Sequence, residues 1–162
     1  MQKIAIIQIS EAGSEIALTL QRELKAKVIQ RSEVGKEWKN QDAFIFIGAM
    51  GICVRTIAPY VKDKHEDPAV VCVDSMGLNV ISVLSGHIGG ANDLTRDIAA
   101  MIGSREVITT QSDNAGLWAL DTFAERFNWN IASDDDMNEC IYAFVNREPT
   151  ALLMEVCDEG TD

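Results

Sequence analysis

The chain has 162 residues, 47% of them apolar and 24% charged, which suits one domain with a real core and excludes a disordered chain. A formal net charge of −11 opposes nucleic-acid binding, because phosphate contacts need clustered Lys and Arg. No apolar run approaches the ~20 residues of a membrane span, and Ile4–Ile9 is too short for a signal-peptide core, so a cytoplasmic domain with no membrane partner is expected.

In chain order, Lys3–Ser10 alternates and is β-branched, which predicts a strand. Glu11–Lys25 follows with Ile16, Leu20 and Leu24 on one helical face. Lys27–Gln30 reads as a short second strand, Glu33–Gln41 as a polar loop or loose turn around a lone Trp38, and Asp42–Ile47 as a buried strand. After Gly48-Ala49-Met50-Gly51 a helix is expected from Ile52 to Val61, with Pro59 near its end. Two strand runs, Ala69–Val73 and Leu78–Leu84, flank Asp74-Ser75-Met76-Gly77, a hairpin signal. A second glycine break at 85–90 opens a helix from Ala91 to Ile102, stopped by Gly103. Then come a strand over Glu106–Thr110 and a helix over Leu117–Phe127, entered through Ser112-Asp113-Asn114. A last helix, capped by Ser133 and Asp134–Asp136, runs to Asn146, and Thr150–Val156 is a candidate final strand. Strands alternating with helices predict a three-layer α/β fold whose mostly parallel or mixed sheet has helices on both faces. We expect one domain over 1–157 and an acidic tail, or the start of a linker, over 158–162.

The four cysteines (Cys53, Cys72, Cys140, Cys157) show no CxxC pair and no His at ligand spacing, so they read as separate thiols with no metal site. The acidity is uneven. Residues 97–162 hold 14 acids against Arg105, Arg126 and Arg147, whereas residues 48–96 sum to −1. An anionic ligand would meet little opposing field in that middle segment.

Three turns there carry the candidate chemistry. Gly48-Ala49-Met50-Gly51 allows backbone approach at a helix start, with Arg55 as a bidentate donor to a carboxylate or phosphate. In Ser85-Gly86-His87-Ile88-Gly89-Gly90, three glycines surround an imidazole, the side chain suited to moving protons near neutral pH. Ser85 and Asn92 add hydrogen-bonding groups, Asp93 is a candidate to orient the ring, and the N–H groups of Gly89, Gly90 and Ala91 are candidate oxyanion donors. In the third turn Thr110, Ser112 and Asp113 cluster at a strand end, where open α/β sheets bind ligands. His65, in a charged loop, reads as solvated surface. The glycine spacing completes no nucleotide motif, and Leu84-Ser85-Gly86 is no nucleophile elbow.

Taken together, "GAMGICVRTIAPYVKDKHEDPAVVCVD" (48–74), "ISVLSGHIGGANDLTRDIAAMIG" (81–103) and "VITTQSDNAGLWALDTFAERFNWNI" (107–131) resemble the CbiG family of cobalamin biosynthesis, the cobalt-precorrin-5A hydrolases. The likeness covers Phe44 to Ile131 and corresponds to the family's N-terminal and central portion. It implies a carboxylate-rich cobalt tetrapyrrole as substrate and hydrolysis of its δ-lactone with release of acetaldehyde, giving cobalt-precorrin-5B. No cofactor is implied, because the cobalt arrives with the substrate. Carried onto this chain, the motifs mark His87 and Asp113 as site residues, and the chemistry of their side chains suggests catalytic roles, His87 as base or cobalt ligand and Asp113 as second proton carrier or orienter of His87. The motifs make Gly48, Gly51, Arg55, Ser85, Gly86, Gly89, Gly90, Ala91, Asn92, Thr110 and Ser112 substrate-binding, all around one site. Contacts such as Arg55 would then make binding salt-sensitive. Family members continue into a further C-terminal domain, whereas this chain stops at Asp162, as a fragment, a split subunit or part of a fusion would. That domain, a fused pathway enzyme and a second copy in a homodimer are the expected protein partners. The rival reading is a non-catalytic tetrapyrrole-binding module, with a generic phosphate-binding domain ranked below it.

Overall fold

The computed structural model describes residues 2–120, 122–124, 129, 136–149 and 151. Its strands are β1 (Ile4–Gln8), β2 (Lys27–Val28), β3 (Ala43–Ile47), β4 (Ala69–Val73), β5 (Asn79–Leu84) and β6 (Arg105–Val107). They form one six-stranded sheet in the order β2-β1-β3-β4-β5-β6. Every neighbouring pair runs parallel except β4 and β5. The helices are α1 (Ser14–Leu24), α2 (Val34–Glu37), α3 (Met50–Ile57), α4 (Ala91–Ile102), α5 (Gln111–Ala115) and α6 (Met137–Val145).

The all-apolar central strands are what a sheet covered on both faces requires. Along β3, Ala43, Ile45 and Ile47 pack with Ala17 and Leu20 of α1 and with Leu94 and Ile98 of α4. The alternate residues, Phe44 and Phe46, pack on the other face with Val34 of α2 and with Cys53 and Ile57 of α3. This is the expected α/β architecture, and each such buried Ile or Phe contributes roughly 1.5–3 kcal/mol. Cys53 and Cys72 are free thiols in this second core layer, and Cys140 is free and partly buried. Among the described residues no helix is long and apolar enough to cross a membrane.

β2 and β6 are shorter than expected, ending at Val28 and Val107, and three further segments differ for local reasons. Trp38 is no stray loop residue. It is buried, stacks on Phe44 at 5.2 Å and 18°, and donates its indole N–H to Asp67 Oδ1 at 3.3 Å. Helix α3 starts two residues early and stops at Ile57: Ala58 still has helical dihedrals and bonds Val54 O, but Pro59 has no N–H to continue the ladder. Ahead of the helix expected over Leu117–Phe127, of which residues 121 and 125–127 lie outside the described residues, the chain forms the short helix α5. Gly116 ends it in the left-handed conformation, with its own N–H bonded to Asp113 O at 3.1 Å and the Leu117 N–H to Ser112 O at 2.8 Å. That pair of bonds is a Schellman stop, so Ser112-Asp113-Asn114, expected as the entry to a helix, lie inside one that Gly116 closes. Of that expected helix, Leu117–Ala119 carry no regular structure and 122–124 form a turn. The last helix is capped by Asp136, whose carboxylate accepts the Asn138 N–H at 2.7 Å. The proposed caps Ser133–Asp135 and the candidate strand Thr150–Val156 lie outside the described residues, apart from Ala151.

The β4–β5 hairpin is organised by one carboxylate. Asp74 Oδ1 accepts the N–H groups of Met76 (2.9 Å) and Leu78 (3.3 Å), and Oδ2 accepts that of Asn79 at 2.6 Å. Partial burial works against the ionised form, but these backbone donors prevail and hold the Asp74 carboxyl below its usual range. Asp74→Ala should therefore destabilise the domain by about 1–2 kcal/mol, read as a lower urea midpoint by circular dichroism. An unchanged midpoint would show that strand pairing alone makes the turn.

Candidate active site

Because β5 runs against β4, Leu84 pairs with Val70 near the start of β4, while Val80 pairs with Val73 at its end. β6 runs parallel to β5. The chain therefore leaves both β5 and β6 at the edge where β1, β3 and β4 begin. The turns at 85–90 and 110–113 meet at that edge. The Gly48–Gly51 turn leaves β3 at the other, with the Gly48 N–H bonded to Val73 O at 2.8 Å. Three strand steps, roughly 10 Å, separate the two levels. Gly48, Gly51 and Arg55 thus do not join His87 and Ser112 in one site, which corrects the single-site expectation. Arg55 is exposed and folds back toward Gly51, where a Cβ would lie 3.5 Å from a guanidinium nitrogen. The expected salt sensitivity through Arg55 loses its basis with it.

The 85–90 turn closes on itself. Ser85 is left-handed at φ 56° and its hydroxyl donates to Asp67 O at 2.9 Å, so it is buried and structural. Gly89 must be glycine for space, since a Cβ there would sit 2.5 Å from Ser85 Cβ and 2.9 Å from its carbonyl oxygen. Gly90 must be glycine for conformation, at φ +80°. The Gly90 N–H bonds His87 O at 3.0 Å, the Ala91 N–H bonds Ser85 O at 3.1 Å, and the Asn92 N–H bonds Gly86 O at 3.0 Å. Two of the three expected oxyanion donors are therefore spent inside the turn. Among the described residues only the Gly89 N–H of that trio has no backbone acceptor.

Asp113 is the hub. Its Oδ2 meets His87 Nε2 at 2.8 Å, Asn92 Nδ2 at 3.0 Å and the Thr110 hydroxyl at 2.5 Å, and its Oδ1 is paired with Arg96. Burial favours the neutral acid, but the hydrogen bonds from Thr110, His87 and Arg96 outweigh it and hold the carboxyl at about 2. Asn92, 2% exposed, spans the site by accepting from the Ser82 hydroxyl (2.7 Å) and donating to Thr110 Oγ1 (3.1 Å). Asp93 does not orient the imidazole. It is exposed and pairs with Arg96 at 2.8 Å, and Asp113 takes the role. Ser112 Oγ lies 3.3 Å from His87 Nε2, the nitrogen that Asp113 already holds. A nucleophilic triad needs base and orienter on opposite ring nitrogens, so Ser112 is not set up as a nucleophile.

Of these groups His87, Asn92, Asp93, Arg96 and Asp113 line a cleft of about 690 Å³ together with Leu117, Trp118, Ala119, Thr122 and Phe123, while Thr110 and Ser112 stand behind it. The volume falls within the roughly 300–1,000 Å³ of small-molecule sites. Arg96 and the Trp118–Phe123 pair are not singled out in the sequence reading. Arg96 was findable, since it falls four residues after Asn92 on one helix face. His65 is exposed, as expected. The depressed Asp113 pKa carries a stability consequence. Its contribution, about 2 kcal/mol, is present above the ordinary carboxyl value near 4 and is lost as pH falls through about 2. Between about pH 4 and 2 the wild-type chain should lose that much more stability than Asp113→Asn, measured by urea unfolding. Parallel pH profiles would show instead that the hub is not formed in solution.

Known proteins bear on this cleft. The family profile described as Cobalamin synthesis G N-terminal matches residues 32–113, and that described as Cobalamin biosynthesis central region matches 118–162. Cobalt-precorrin-5A hydrolase of Priestia megaterium is 46% identical over 118 residues, covering 73% of this chain and 32% of that protein. The Salmonella typhimurium protein of the same name is 58% identical over 86 residues, covering 53% of this chain and 24% of that protein. A crystal structure of a cobalamin biosynthesis protein G homolog from Sulfolobus solfataricus superposes with a TM-score of 0.58 at 33% identity, over 66% of this chain and 36% of that one. The chain thus spans a third or less of the length of these two curated hydrolases. With more than half of its residues under the N-terminal profile and the rest of the match continuing into the central one, the chain belongs to the CbiG family of cobalamin biosynthesis.

Proposed function

We propose that this cytoplasmic domain carries the water-activating group of a cobalt-precorrin-5A hydrolase, with His87 as general base. The observation that carries the reading is the 2.8 Å contact between His87 Nε2 and the ionised Asp113 within the cleft. A neutral imidazole whose Nε2–H donates to a carboxylate holds its basic lone pair on Nδ1. Asp113, ionised at neutral pH, orients the ring and balances the imidazolium that forms, rather than carrying a proton itself.

In this reading water adds to the lactone carbonyl carbon as its proton passes to His87. The ring C–O bond then breaks and His87 returns the proton to the departing oxygen, leaving a carboxyl and a hydroxyl group. Loss of the two-carbon unit as acetaldehyde follows and gives cobalt-precorrin-5B. The cobalt is part of the substrate, and no resident cofactor enters. One observation favours the rival, a binding module completed by residues beyond this chain: the Gly90 and Ala91 N–H groups are already spent, which leaves few oxyanion donors here.

Turnover and binding of the metallated lactone, measured on this chain and on His87→Asn, separate the readings. For a general base, the variant keeps its fold and its affinity while turnover falls about 10²–10⁴-fold. For an axial cobalt ligand, affinity drops and the visible spectrum of the bound tetrapyrrole changes. A wild-type chain that binds without turnover supports the binding module. Full turnover in His87→Asn would remove His87 from the mechanism.

A further inference from the structure

The polar lining of the cleft is largely occupied by its own contacts. Asp113 has four partners, Asn92 three side-chain partners, and Arg96 two carboxylates. Two carboxylates, Asp93 and Asp113, stand against the one guanidinium among the described lining residues. A ligand rimmed by carboxylates gains little here from paired charge, because each new ion pair must first displace an existing one.

The apolar lining is different. Trp118 is 57% exposed although it lies in a cleft, and its indole stacks on Phe123 at 4.9 Å between centroids and 15° between planes. Stacking against a second ring fixes the indole plane and leaves its exposed surface to a further flat partner. The position is also tied to the polar centre. Leu117, immediately before it, is bonded through its N–H to Ser112 O at 2.8 Å in the stop of α5. An exposed indole held in register with Ser112 and Asp113 is a fixed platform, not a loose surface side chain.

We propose that Trp118, backed by Phe123, is the platform on which the flat conjugated part of a metallated tetrapyrrole rests, so that this cleft recognises its ligand by ring face rather than by charge. The proposal rests on the reading that the cleft takes a cobalt tetrapyrrole. It places the macrocycle in the same cleft as His87 and names a binding residue for which the polar network has no counterpart. It also makes affinity weakly dependent on salt, because apolar and stacking contacts are not screened.

The test uses the whole chain with cobalt uroporphyrin, a flat cobalt tetrapyrrole rimmed by carboxylates, followed by tryptophan emission and by the visible spectrum of the tetrapyrrole. The wild-type chain should bind with quenching of its emission and with an affinity that changes little as salt rises. Trp118→Ala should weaken binding about ten-fold or more, within the range for losing one aromatic stacking partner. Trp118→Phe should keep most of the affinity and lose most of the quenching, because the other two tryptophans lie elsewhere. Circular dichroism on both variants monitors the fold. Wild-type affinity in Trp118→Ala overturns the platform, as does no binding by the wild-type chain or a steep loss of affinity with salt. These outcomes are separable from the functional reading: His87→Asn with full turnover sinks that reading without touching the Trp118 comparison, and a failed platform leaves the His87 result standing.

Discussion

The reversal of chain direction between β4 and β5 is the constraint on which the rest of this site depends. In an all-parallel sheet the glycine turns after β3 and β5 would share one edge. Here the Asp74 carboxylate ties the three following N–H groups into a hairpin, and β5 returns to the opposite edge. β6 follows it in parallel, so two turns that are 20 or more residues apart along the chain come into contact. The His87–Asp113 cluster sits where the reversed strands end, and the Gly48–Gly51 turn is left on the far side.

What the reversal brings together is held by a single carboxylate. Asp113 draws on β5 through Asn92 and Ser82, on α4 through Arg96, on the turn through His87, and on its own helix start through Thr110. Such a hub is stable only when ionised, because every partner donates to it. In the proposed mechanism this divides the labour: the carboxylate stays charged and stationary, and the imidazole moves the proton. The cost is that little donor capacity is left over for substrate on the polar side. An exposed indole in the same cleft is then a natural place for binding energy to come from.

Much of this was legible in the sequence. The apolar runs of β3 and β4, the hairpin at Asp74–Gly77 and the limits of α4 all follow from period and turn chemistry, and the structure has them within a residue or so. The glycines of 85–90 marked the turn that holds His87. What failed was the step from local signals to their arrangement. The hairpin signal already implied that β5 runs backward, yet the turn after β3 was placed beside the turn after β5. Ser112-Asp113-Asn114 read as a helix entry but form a helix of their own, because capping residues and a short helix ended by Gly116 look alike in sequence. The N–H groups of Gly90 and Ala91 looked available because their acceptors, His87 O and Ser85 O, belong to the same tight turn and carry no sequence signal. Arg96 and Trp118 carry no local motif that would single them out. Only the fold brings them to one cleft.

The central claim is that Asp113 holds the Nε2–H of His87 and so places the basic lone pair on Nδ1. Long-range ¹⁵N–¹H correlation spectra of the imidazole test it directly, at a pH where the ring is neutral. The account predicts a protonated Nε2 and an unprotonated Nδ1 in the wild-type chain, with that preference weakened in Asp113→Asn. A wild-type ring protonated at Nδ1, or one whose tautomer ignores the Asp113 substitution, would contradict it.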